Sequence, residues 1–264
     1  MLDHESRGEG RTIVFLHGLT LDRSLLLDAC EPIFAERAGW RRIYLDLPGH
    51  GRSPGEPAAA SADGLLASVH ELLVDIAGPR PLLVGHAYGG YLAQGLVAAG
   101  PEVGGLFLVC PVVEPDLTRR RVPPQRVATP GDGLVFADDD ERQVFHGEAT
   151  VHSAGVLDAF RRLVVPAHAA TDRDFLAAVR GRYVISTPLG AAARAFTGPV
   201  AIVCGRDDYW SGFVDAAGVA ALYPRSSLTV VPDCGQLLPI EAGDRLRDAF
   251  LDWLGRLAAD VDVR

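Results

Sequence analysis

The chain has 264 residues and a formal net charge of −9, and its basic residues are all arginine. A hydrophobic content of 48% with mean hydropathy of +0.15 excludes a disordered chain, and no apolar run approaches the roughly 18 residues that a bilayer-spanning helix needs. The acidic balance argues against a nucleic-acid groove, and the lack of lysine excludes Schiff-base and lysine-bound pyridoxal chemistry.

From its start the chain is polar and acidic ("MLDHESRGEG"), unlike a secretory leader. Cys30, Cys110, Cys204 and Cys234 stand singly, which reads as reduced, buried thiols in a cytoplasmic protein rather than a disulfide framework or a zinc site. The first predicted strand covers 12–18 and ends in His17-Gly18-Leu19; a helix follows over 24–37. The second, over 41–47, runs into "DLPGHGRS" (46–53), where His50 stabilises its loop, and then into a helix over 61–77. The third, 81–86, enters the turn Gly85-His86-Ala87-Tyr88-Gly89-Gly90 and a helix over 88–99. A strand over 105–112 follows.

Regularity breaks between about 114 and 198, a stretch of Pro, Arg and acidic residues with two or three helix-like segments, read as a helical cap over the sheet's carboxyl edge. Within it Arg119-Arg120-Arg121 reads as a solvated face, as does the metal-like spacing of His146, Glu148 and His152. Beyond it come strands over 199–205 and 228–233, with helices over 213–222 and 241–258. The first of these strands ends in "GRDDYW" and the second in "PDCGQLLPIE". Strand alternating with helix gives an α/β fold, a mostly parallel, doubly wound sheet, with a core of 1–113 and 199–264 and a cap of 114–198.

Ligands of such sheets bind beyond the carboxyl ends of the strands, which makes these turns the candidate site. His-Gly, "DLPGHGRS", "GHAYGG" and "GRDD", in this order and spacing, resemble the α/β hydrolase superfamily in its cap-bearing branch of esterases, C–C bond hydrolases, epoxide hydrolases and haloperoxidase-like enzymes. The resemblance runs from about 12 to 257, with the early β-hairpin curtailed. It places the nucleophile at Ala87, the acid at Asp208 (with Asp207 the less favoured neighbour) and the base at Gln236. It also implies an oxyanion hole of the Leu19 and Tyr88 N–H groups, with His17, Gly18, His86, Tyr209 and Trp210 around the substrate.

Alanine cannot attack and an amide cannot take a proton near neutral pH, so Ser-His-Asp hydrolysis is not available. Asp208 is the remaining proton acceptor. The glycines at 18, 85, 89 and 90 are read as allowing close backbone approach to a ligand. The expectation is a non-hydrolytic enzyme (lyase, cyclase, isomerase or decarboxylase, in secondary metabolism) acting on a small, largely apolar carbonyl compound. Alternatives are a serine hydrolase whose nucleophile has been exchanged for alanine, and a ligand-binding pseudoenzyme. No cofactor, metal, nucleic-acid or membrane partner is expected, and the oligomeric state is not legible.

Overall fold

Short runs of aliphatic and aromatic residues, buried on both faces, build the centre of the molecule. In the computed structural model, which describes residues 2–100, 102–129, 131 and 133–259, a seven-stranded sheet runs in the order β1-β3-β2-β4-β5-β6-β7. The strands are β1 (His4–Arg7), β2 (Arg11–Leu16), β3 (Trp40–Leu45), β4 (Leu82–His86), β5 (Gly105–Val109), β6 (Val200–Gly205) and β7 (Ser226–Val231). All neighbours are parallel except β1, which lies antiparallel on β3. The polar tetrapeptide of β1 lacks an apolar signal, and sequence reading passes over it. Backbone pairing with β3, rather than burial, makes it a strand.

Around the sheet lie α1 (Arg23–Cys30), α2 (Ala62–Leu72), α3 (Tyr88–Ala99), α8 (Phe213–Ala220), α9 (Leu238–Glu241) and α10 (Gly243–Ala259). Between β5 and β6 come α4 (Asp139–Glu148), α5 (Ala154–Ala170), α6 (Arg173–Gly181) and α7 (Leu189–Ala195). The helix expected over 24–37 stops at Cys30, because Pro32 cannot donate into it and Glu31–Phe34 tightens into a 3-10 turn. Side-chain caps open α1, α2, α5 and α6: Asp22 accepts from Ser24 N, Ser61 from Gly64 N, Ser153 from Val156 N and Asp172 from Phe175 N.

Alternate strand residues point to opposite faces, and the core divides accordingly. Val14, Leu16, Leu83, Leu106 and Leu108 pack with α2 and α3 on one face. Ile13, Phe15, Leu82, Val84, Phe107 and Val109 pack with α1 and α10 on the other, around Phe250 and Trp253, both fully buried. Among the described residues, those between β5 and β6 form four helices, rather than two or three, with a core of their own. Phe145, Leu157, Phe160 and Val164 close on Leu21 and Leu25, beyond the carboxyl end of β2, and on Leu237, beyond that of β7.

The "DLPGHGRS" loop ties this layer to the sheet. Buried Asp46 accepts from Arg23 N and Arg52 N, and a Cβ on Gly51 (φ 54°) would overlap its carboxylate. Gly49 (φ 74°) leaves room for the Phe175 ring of α6, and its carbonyl accepts from Asp172 N at 2.9 Å. Only glycine meets both demands of left-handed backbone and close approach there.

Candidate active site

Strand β4 delivers the chain into a sharp bend at Ala87 (φ 50°, ψ −115°), from which α3 departs. This backbone is costly for a residue with a Cβ, about 1–3 kcal/mol, and persists only when its surroundings enforce it. Here Ala87 N donates to Val109 O at 3.0 Å, and Val112 N donates to Ala87 O at 2.9 Å, clamping the bend to β5. The N–H groups of Gly90 and Tyr91 also return to Ala87 O. Those of Tyr88 and Gly89 precede any intrahelical acceptor, so the positive end of α3 opens beside Ala87.

Glycines 85, 89 and 90 serve this bend and not a ligand, correcting the sequence reading. A Cβ on Gly85 would meet the Gly89 and Gly90 backbone, on Gly89 the Leu16 carbonyl, and on Gly90 the Pro111 side chain. Gly18 differs: its Cβ would lie 3.0 Å from Ala87 Cβ and 3.2 Å from His86 Nδ1. It therefore faces the apex directly, next to half-buried Leu19.

His86 donates from Nε2 to the Gln236 carbonyl at 2.9 Å, which leaves Nδ1 as a buried acceptor without a partner among the described residues. Burial lowers its pKa to about 4, against the pull of that carbonyl, so the ring is neutral. His17 is removed from ligand contact through nitrogen, contrary to expectation. Its Nδ1 meets Gly18 O at 2.7 Å and its Nε2 accepts from Leu47 N at 2.9 Å, so both ring nitrogens are taken by backbone. His50 holds its own loop through Pro48 O and tilts against His17.

The turn after β6 carries the two acidic candidates, and they are used differently. Asp207 is held by Arg126 Nε and Nη2 at 2.6 and 2.7 Å. Asp208, 1% exposed, accepts through Oδ1 from Trp210 N and Ser211 N, both at 2.9 Å, while Oδ2 is buried without a partner. Burial pushes its pKa up to about 6, opposed by those two N–H groups. Gln236 does not bond this carboxylate; its Nε2 donates to Ser211 Oγ at 2.9 Å. Cys234 beside it is buried near Glu241, with its thiol pKa raised by burial, so it is not poised as a nucleophile.

The segment before α4 straps this turn. Arg120 Nη1 donates to Trp210 O at 2.6 Å, Arg121 pairs with Asp215, and Arg126 bridges Asp207 and Asp233. Arg119 and Arg121 are exposed, as expected of a solvated face, while Arg120 and Arg121 also tie the segment to Trp210 and Asp215. Tyr209 is half-buried with its hydroxyl on Gly147 O, which makes it a tie to α4; Trp210 is 46% exposed at the rim. Tyr88 is buried, its ring tilted at 46° against that of Tyr183 with centroids 4.5 Å apart, and its hydroxyl donates to the Tyr183 carbonyl. His146 and His152 stack on each other at 4.6 Å; His146 stays exposed, as expected, whereas His152 is buried. Among the described residues no group of three or more His, Cys, Asp or Glu could hold a metal ion. All four cysteines are buried and free. No described helix is long and apolar enough to cross a membrane.

Relatives share this architecture. The chain is 26% identical over 95% of its length to the dihydrolipoyllysine-residue acetyltransferase component of the acetoin cleaving system of Pseudomonas putida. Over 51% of its length it is 31% identical to a 2-succinyl-6-hydroxy-2,4-cyclohexadiene-1-carboxylate synthase of Salmonella paratyphi A. These matches span 65% and 52% of the relatives' own lengths. Among solved structures, an α/β superfamily hydrolase of Oenococcus oeni superposes with a TM-score of 0.90 at 25% identity, covering 97% of this chain and 96% of that one. A bromoperoxidase of Bacillus anthracis superposes with a TM-score of 0.75 at 18% identity, covering 96% and 94%. The model of the alpha/beta hydrolase family matches residues 13–249, and the chain belongs to that family.

Proposed function

We propose that this protein is a non-hydrolytic enzyme acting on a small carbonyl compound. In this reading the Leu19 and Tyr88 N–H groups hold the carbonyl oxygen and Asp208 accepts a proton from the neighbouring carbon. The observation that carries it is the buried, unpartnered Oδ2 of Asp208, on a carboxyl whose pKa is pushed up to about 6. A base of that strength is ionised at neutral pH yet still able to return its proton. The electron pair of the broken C–H bond moves to the carbonyl oxygen, and the resulting enolate lies at the positive end of α3. It collapses by reprotonation, or by expelling a leaving group from the adjacent carbon.

Ala87 supports this reading by offering no attacking atom, and Gln236 by offering no basic one. So does the likeness of half the chain to a protein named as a synthase. We propose also that residues 114–198 act as a cap that closes the site from water, with 1–113 and 199–264 as the core.

The test is solvent exchange. In D2O, with 3-benzoylpropionate as probe, the wild type is expected to accelerate loss of the proton signal from the methylene next to the ketone. Asp208→Asn is expected to slow this by about 100-fold or more, with affinity within a few-fold, since the amide keeps shape but not basicity. An undiminished rate in the variant removes Asp208 from the chemistry. Binding without exchange by the wild type makes the protein a ligand carrier instead.

A further inference from the structure

Glu148, read from the sequence as part of a solvated face, closes α4 as a half-buried residue. Its Oε1 lies 3.6 Å from His168 Nε2, in the last turn of α5, and that nitrogen is buried without a hydrogen bond among the described residues. The carbonyl ends of two helices thus converge on one carboxylate and one imidazole. With Glu148 ionised and His168 neutral the pair carries a negative charge, the wrong sign for a helix C-terminus. One bound proton, on either group, removes it.

The charged groups around the pair are committed elsewhere. On α5, Arg161 pairs with Glu141, and Arg162 with Asp28 of α1. On α4, Arg142 pairs with Asp139, and His146 stacks on His152. From α9, Glu241 turns its carboxylate to the N–H groups of Thr150, Val151 and Gly235. Tyr209, beyond β6, gives its hydroxyl to Gly147 O, one residue before Glu148. Thr150, two residues after it, puts its hydroxyl where a Cβ on Gly235 would stand, against the turn beyond β7. The pair therefore stands at the seam between the helical layer and two turns of the candidate site. Burial works in the same direction, raising the Glu148 carboxyl to about 7 and lowering the His168 imidazole.

We infer that Glu148 and His168 form a proton-operated latch: sharing one proton they join α4 to α5 and keep residues 145–152 seated on those turns, and its loss above neutral pH releases that stretch. The latch does not depend on the base proposed at Asp208. Once released, the two groups return to their ordinary values of 4.5 and 6.5. Between those values the released pair also holds one proton, so seating is level with pH. Above 6.5 it sheds the proton that the seated pair still keeps, and seating weakens as pH rises.

Amide hydrogen exchange at 145–152, corrected for its intrinsic pH dependence and compared with α10, is the test. Wild-type protection is expected to be level from pH 5 to 6 and to fall about 3-fold from pH 6 to 8. Glu148→Gln leaves only the histidine, which takes up a proton on release, so protection should instead rise from pH 6 to 8. His168→Gln leaves only the carboxyl, and protection should fall by roughly 10-fold or more from pH 5 to 7. Wild-type protection that is level or rising from pH 6 to 8, or a Glu148→Gln variant that falls as the wild type does, overturns the inference. The wild-type profile alone decides it where the variants fold poorly.

Discussion

Asp208→Asn is expected to make the protein more stable, and only above mid-acid pH. In the folded chain the carboxyl is buried and its pKa rises from the ordinary 3.8 to about 6. A raised carboxylate pKa means that the folded state holds its proton more tightly than the unfolded state does. Stability therefore falls as pH climbs from about 4 to about 6 and is lower by a constant amount above that. The shift of roughly two units corresponds to about 3 kcal/mol, at about 1.4 kcal/mol per unit. Asparagine keeps the oxygen that accepts from Trp210 N and Ser211 N and removes the buried charge. Urea unfolding at pH 8 is expected to give the variant about 2–3 kcal/mol over the wild type, with the advantage vanishing near pH 4. A variant less stable at pH 8, or a difference that does not change with pH, would refute the reasoning.

Other perturbations follow from the same contacts. Ala87→Ser alone is expected to remain unlabelled by a fluorophosphonate, whereas Ala87→Ser with Gln236→His is expected to label, because nucleophile and base act as a unit; labelling of the single variant, read by intact-mass spectrometry, would contradict this. Gly18→Ala puts a methyl 3.0 Å from Ala87 Cβ and 3.2 Å from His86 Nδ1, so it should abolish binding of 3-benzoylpropionate with little change in melting temperature. Unaltered binding would show that the ligand does not use that space. Glu241 accepts from the N–H groups of Thr150, Val151 and Gly235, and Glu241→Ala should cost about 3 kcal/mol and raise amide exchange at 150 and 151. Protection left intact at those amides would argue that the helical layer is held elsewhere. Phe250→Ala, in the aromatic cluster with Phe15, Phe107 and Trp253, should cost about 3–5 kcal/mol in denaturant unfolding; a loss under 1 kcal/mol would deny that cluster its place in the core.

The sheet was legible because its strands are continuous apolar runs closed by Gly, Pro and Asp, and six strands fall within two or three residues of expectation. β1 escaped because its cause is backbone pairing with a strand distant in sequence. The turns that line the site were legible by their glycines, but the reason for those glycines was not: Gly85, Gly89 and Gly90 admit neighbouring backbone and Pro111. His17 carried the right motif and the wrong role, since nothing local tells that Leu47 N claims its Nε2. Arg120 was read only as part of a solvated face. A run of three arginines reads as a surface, and only the fold ties the middle one to the Trp210 carbonyl.

The most direct single measurement is one NMR time course of wild-type protein with methyl 3-benzoylpropionate in D2O, at concentrations high enough to fill the site. The same sample reports ester cleavage, as methanol, and proton exchange at the methylene next to the ketone. The expected result is accelerated exchange with no methanol above the uncatalysed rate, as follows from the proposed base at Asp208 and from the lack of an attacking atom at Ala87. Release of methanol at a catalysed rate, with or without exchange, would contradict the account.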